Sequence, residues 1–225
     1  GRTTQDNFIY QLKRKAPNLR LVMELWPRLG QTEFKAEIAA INATKPDFVF
    51  GSLASLDNAS WIKFANQTGF FRQYPFPGSL ISVSELIQYK ESLPRGLIGL
   101  ARAPFFAHMD NPIMVDFVDK FRTRYGQYPS DWAVLEYDAV MALLQGIEKA
   151  QSINSTAVKD ALSNSTITTT RGQLTFRAID NQLDCSSYVG TVADDPKYPF
   201  PVLNNLIEVK AKDSWRSEQE ILSFR

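Results

Sequence analysis

The chain has 225 residues, 44% hydrophobic and 22% charged, and its 25 basic and 24 acidic side chains leave a formal net charge of +1. That balance gives no electrostatic reason to expect nucleic acid or an anionic membrane as partner, and no apolar run reaches the roughly 18 residues needed to span a bilayer. Cys185 is the single cysteine, which excludes an intrachain disulfide and a thiolate metal cluster.

In chain order, residues 4–15 fit an amphipathic helix, with Phe8, Ile9 and Leu12 on one side and Lys13, Arg14 and Lys15 in the last turn before Pro17. LRLVMELW (19–26) reads as a buried strand. Thr32 is placed to cap a helix through about residue 43, and KPDFVFGSL (45–53) follows as a second strand. Asp57 would cap a helix over 58–68 that Gly69 closes. PGSLISV (77–83) is a third strand, SELIQYKESL (84–93) a short helix and GLIGLARA (96–103) a fourth strand. Such alternation with short connections signals a parallel α/β sheet.

The alternation stops near residue 103. Helices follow at about 111–125, 132–151 and 155–163. In the second of them Trp132, Leu135, Ala139, Val140, Leu143, Leu144 and Ile147 form one apolar stripe, with Ser130 or Asp131 as N-cap. The last sixty or so residues look like a small, largely antiparallel group, in which GQLTFRAIDNQL (172–183) carries an Asp-Asn turn. Five N-x-S/T sequons begin at Asn42, Asn58, Asn66, Asn154 and Asn164.

The wording of RYGQYPSDWAVLEYDAVMALLQGIEKAQSI (124–153) resembles the type I periplasmic solute-binding proteins of branched-chain amino acid and amide importers. PNLRLVMELWPRLGQTEFKAEIAAINATKPDFVFGSL, FANQTGF, TRGQLTFRAIDNQL and VGTV resemble other segments of that family in the same order. The resemblance covers almost the whole chain. It implies an α/β fold: a three-layer αβα lobe with a parallel sheet plus part of a second lobe, the N-terminal lobe being largely missing. On this expectation 1–103 and 168–225 form the second, C-terminal lobe, and 104–167 supply helices of the first. The helices at 111–125 and 132–151 would then carry apolar faces, including Phe117, Val118, Phe121, Leu143 and Ile147, that need cover from the missing lobe or from another copy of the chain.

Enzyme signatures are missing: there is no nucleophile elbow, no phosphate-cradling loop and no dinucleotide fingerprint. His108, the only histidine, lies in a loop and reads as solvated or capping. No cofactor and no metal are expected. Open α/β sheets place ligands at the carboxyl ends of their parallel strands. Two such loops stand out, Gly51-Ser52-Leu53-Ala54-Ser55 and Pro77-Gly78-Ser79-Leu80, where the resemblance also places the family's second-lobe contacts. Where family members often carry an acid or tyrosine for a ligand ammonium, the matching loops here carry Leu53, Ala54 and Leu80, which leaves room for an apolar or aromatic carboxylate. Trp132 matches a first-lobe aromatic contact of some members, or else anchors the core. The resemblance implies a periplasmic or extracellular solute-binding component of an ABC importer, with a small-molecule ligand and a membrane permease as partners. A ligand-sensing regulator of the same fold and a small α/β enzyme are the alternatives.

Overall fold

The computed structural model of the chain describes residues 1–224, and of Ser79 the backbone but not the side chain. Two compact units emerge. The first holds Gly1–Ile81, Glu85–Leu100 and Gly190–Asn205; the second holds Ser82–Ser84, Ala101–Val189 and the chain from Leu206 onward.

In chain order the first elements are α1 (Arg2–Lys15), α2 (Lys35–Thr44), α3 (Ser55–Gln67), α4 (Phe70–Gln73), β1 (Ser79–Leu80), α5 (Val83–Gln88) and β2 (Ile98–Ala101). A 3-10 turn (Phe105–His108) leads to α6 (Pro112–Tyr125), α7 (Asp131–Ala150) and α8 (Ser155–Leu162). The hairpin of β3 (Thr166–Thr169) and β4 (Gly172–Thr175) follows, then β5 (Ser187–Ala193), β6 (Val202–Val209), α9 (Ala211–Ser214) and α10 (Glu218–Leu222). Strand order in the main sheet is β1-β2-β5-β6, with β1 parallel to β2 in the register Ser79 to Gly99 and Leu80 to Leu100.

The core of the first unit is aromatic. Phe34 meets the Trp61 indole edge-on at 5.2 Å, and Trp61 meets Phe70 at 5.0 Å in the same manner. Such pairs add about 0.5–1.5 kcal/mol each beyond the area they bury. Helix starts depart from the sequence reading. Thr32 is not the cap of α2, whose N-cap position is Phe34, a residue drawn into the core. Asp57 is not the cap of α3 either: it lies inside the first turn, and its carboxylate accepts from Gly30 N–H at 2.9 Å.

The two expected strands at 19–26 and 45–53 are not formed as regular strands. Leu21, Val22 and Trp26 are exposed, and the segment has no ladder partner among the described residues. A strand is stabilised by its neighbour's hydrogen bonds and packing rather than by propensity, so an apolar run without a neighbour stays irregular. The second segment gets halfway. Val49 N–H reaches Pro75 C=O at 3.0 Å and Gly51 N–H reaches Pro77 C=O at 3.2 Å, two rungs in parallel spacing. The return bond to Val49 would come from residue 77, and Pro77 has no N–H to give.

In the second unit α6 is capped by Asn111, α7 by Ser130 and α8 by Asn154, each side chain accepting from a first-turn N–H. The buried face of α7 is Asp131, Val134, Asp138, Ala142 and Gly146. It is narrower and smaller than the apolar stripe read from the sequence, because α8 comes very close: a Cβ on Gly146 would sit 2.8 Å from Leu162 Cγ. Val140, Leu143 and Leu144 of that stripe remain exposed, whereas Phe117 and Val118 of α6, also expected to lack cover, are buried. Among the described residues no helix is long and apolar enough to cross a membrane.

Candidate ligand-binding site

Strand pairing brings the two predicted loops of the first unit together. The two rungs from Val49 and Gly51 hold the 51–55 turn beside Pro77-Gly78. Asn58, buried in the first turn of α3, donates its Nδ2 to Leu80 C=O at 3.1 Å and ties the end of β1 to the helix start. Ser52, Leu53, Ala54, Ser55, Gly78 and Leu80 therefore gather around the N-terminus of α3. The Ser79 backbone continues the same strand, and its side chain lies outside the described residues.

That N-terminus is open. Ala54 occupies the N-cap with extended geometry and offers no side-chain cap, so the positive end of the helix dipole carries no capping side chain there. Neither the Ser52 nor the Ser55 hydroxyl has a protein hydrogen-bond partner among the described residues. Ser55 itself sits at φ +52, a left-handed conformation for a non-glycine residue, which costs on the order of 1–3 kcal/mol. The one carboxylate at this helix start, Asp57, is engaged by the Gly30 N–H.

Glycine is required at two of these positions by close approach. A Cβ at Gly51 would lie 2.1 Å from Phe76 Cζ; one at Gly78, with φ +105, would lie 2.5 Å from Phe50 Cε2 and 2.6 Å from Gly51 O. The last of these is backbone and cannot swing away. Gly78→Ala is expected to destabilise the chain by about 1–3 kcal/mol, read as a lower urea midpoint at unchanged slope. A stability within a few tenths of wild type would show that the two loops are not held this close.

Trp132 belongs to the second unit. It stands in the first turn of α7 with 51% of its surface exposed, so it is not a core anchor. The Arg102 guanidinium lies over its indole at 5.0 Å. Asp131 beside it is buried, and its carboxylate accepts three backbone N–H groups: Val83 at 3.0 Å, Arg102 at 2.8 Å and Ala103 at 3.0 Å. The sequence marked Asp131 only as a possible cap; its clamping role depends on two distant segments that pattern cannot place.

His108 is half-buried, at the end of the 3-10 turn rather than in an open loop. Its ring meets Tyr188 edge-on at 5.3 Å, and its buried Nε2 has no hydrogen-bond partner among the described residues. Burial first, and the nearby Arg171 cation second, hold its pKa below the ordinary 6.5, while Asp110, Asp138 and Glu208 pull the other way. A folded-state pKa below the unfolded one means that the unfolded chain binds the proton more readily. Stability is therefore full above about pH 6.5 and falls as pH drops from there through the folded pKa. His108→Gln should flatten that slope between pH 7 and 5 in urea melts; an unaltered slope would assign it to other groups. Among the described residues no group of three His, Cys, Asp or Glu side chains is placed to hold a metal.

The profile of the periplasmic binding protein family matches residues 1–197. No curated protein matches the chain in sequence. Among solved structures, a periplasmic binding protein from Burkholderia mallei is 16% identical with a TM-score of 0.75, over 92% of this chain and 54% of that one. The closed leucine-, isoleucine-, valine-, threonine- and alanine-binding protein of Brucella ovis is 19% identical with a TM-score of 0.73, over 94% and 55%. A solute-binding protein of an ABC transporter from R. palustris, in complex with benzoate, is 19% identical with a TM-score of 0.66, over 88% and 54%. The chain thus spans about half the length of the structures it matches.

Proposed function

Because this chain belongs to the periplasmic binding protein family and has its type I fold, we propose that it is part of the extracytoplasmic solute-binding component of an ABC importer. Its ligand is a small carboxylate: a branched-chain or other amino acid, or an aromatic or aliphatic acid. It makes and breaks no bond. The observation that carries this reading is the meeting of the Gly51–Ser55 turn, Gly78 and Leu80 at the uncapped start of α3, with two serine hydroxyls unpartnered there. N–H groups, hydroxyls and a helix dipole are what a carboxylate needs, and Leu53 and Leu80 supply the apolar wall. The membrane permease is the partner in this reading, and the periplasm or the cell surface is the place.

The test is a calorimetric titration of the intact protein with L-leucine, L-alanine, benzoate and 4-hydroxybenzoate. At least one is expected to bind, and the double variant Ser52→Ala/Ser55→Ala should weaken it by about a hundred-fold or more, the loss of two hydrogen bonds to a charged group. Binding of none of the four, or unchanged affinity in the double variant, overturns the assignment.

A further inference from the structure

We propose that the second unit carries a receptor for an organic cation, an ammonium group on an apolar body, in the cavity between the 175–184 turn and the start of α10. It shares no residue with the carboxylate site and does not rest on the solute-capture reading. The cavity holds about 580 Å3, within the roughly 300–1,000 Å3 usual for small-molecule sites. The chain builds it locally. Phe176 bridges Leu183 in antiparallel fashion and Asp184 N–H donates to Thr175 C=O at 2.9 Å, so the turn folds back on the end of β4. Arg177 joins that turn to the segment between α9 and α10. Its Nη1 donates to Arg216 C=O at 3.1 Å, and its guanidinium lies over the Trp215 indole at 4.5 Å. Phe176, Ile179 and Trp215 are the apolar wall, and Asp184 and Glu218 stand at the cavity with them.

The sign of the ligand follows from how the charges are already used. Arg177 is the one cation among the described residues of this lining. Its Nε and Nη2 both donate to the Asp180 carboxylate, so each of its three nitrogens has an acceptor and its charge is balanced. The neighbouring Arg216 turns its guanidinium to the Phe224 ring at 4.9 Å. Asp184 and Glu218 are exposed and form no ion pair among the described residues. Helix α10 does not use Glu218 at its start, because Ser217 and Glu220 close it as a capping box. Two carboxylates without an internal counter-charge, set beside aromatic rings, suit an ammonium group whose apolar body lies on the wall. The stacked Arg177 shows that the Trp215 ring already accepts a cation on its face. A bare metal ion is poorly served, since no three His, Cys, Asp or Glu side chains converge among the described residues.

The probes are phenethylamine, its neutral isostere phenethyl alcohol and the anion phenylacetate, titrated calorimetrically into the intact protein and into Asp184→Asn, Glu218→Gln and the double variant. Wild type is expected to bind the amine about ten-fold more tightly than the alcohol and phenylacetate most weakly. Each single variant should lose about three-fold in amine affinity and the double variant about ten-fold, with the alcohol changed by less than about two-fold. Both carboxylates are exposed, so the variants are expected to fold, which circular dichroism checks. Amine affinity in the double variant within about two-fold of wild type overturns the receptor. So does a wild type that binds the alcohol or phenylacetate as tightly as the amine, or that does not bind the amine. None of these outcomes touches the carboxylate site, so the two readings fail separately.

Discussion

Asp138→Ala is expected to lower the stability of the chain by about 3–5 kcal/mol, because it strands a buried guanidinium. Asp138 and Arg171 have side chains only 3% and 5% exposed, and Nε of the arginine donates to the carboxylate at 2.9 Å. The other carboxylate oxygen accepts from Thr170 N–H at 2.8 Å, so α7 is tied to the turn of the β3–β4 hairpin by two bonds at once. Asn111, the cap of α6, adds a third tie by donating to Thr170 C=O at 2.9 Å. Taking two charges out of water is costly, and their attraction repays that cost only while both are present. The double variant Asp138→Ala/Arg171→Leu should therefore recover a good part of the loss. Urea unfolding of the two variants and wild type gives the comparison; a single variant that loses less than about 1 kcal/mol would mean that the guanidinium reaches water.

Asp131→Ala should cost about 2–4 kcal/mol, through the loss of three charge-assisted hydrogen bonds in a buried place. The three donors belong to segments far apart in sequence, 82–84 and 101–103, and the acceptor is the first residue of α7. Asparagine would not rescue the clamp fully. Its amide keeps one acceptor oxygen but turns an NH2 group towards donors. Amide hydrogen exchange adds a local readout: the Val83, Arg102 and Ala103 amides should lose protection together in Asp131→Ala, ahead of the rest of the second unit. Protection that is unchanged at those three amides would remove Asp131 from the role given to it here.

Much of the helical framework was legible from periodicity and caps. α6, α7 and α8 start and stop within a residue or two of the expected 111–125, 132–151 and 155–163, and Ser130 is the cap of α7, because apolar spacing and capping are local matters between side chains and their own helix. The strands at 19–26 and 45–53 were misread for the opposite reason: strand formation is decided by a neighbour, and Pro77 denies one of them a rung. The burial of α7 was misread as well. A sequence shows where its large apolar residues lie, not that a close helix would select the small face of Ala142 and Gly146. At the candidate site, the small residues of 51–55 and 77–80 marked the loops, but Asn58, which binds them together, looked like a sequon.

By itself, then, the sequence determined the family, the α/β class, the boundaries of α6, α7 and α8 and the two loops rich in glycine and serine, since these follow from local pattern and from the order of family motifs. Only the tertiary structure decided which polar groups are buried together. The Asp131 clamp, the Asp138–Arg171 pair and the stacking of Arg102 on Trp132 each join residues about 30 or more positions apart. Long-range pairings of that kind depend on chain topology, and a hydrogen bond or an ion pair gains its strength only from the burial that topology creates.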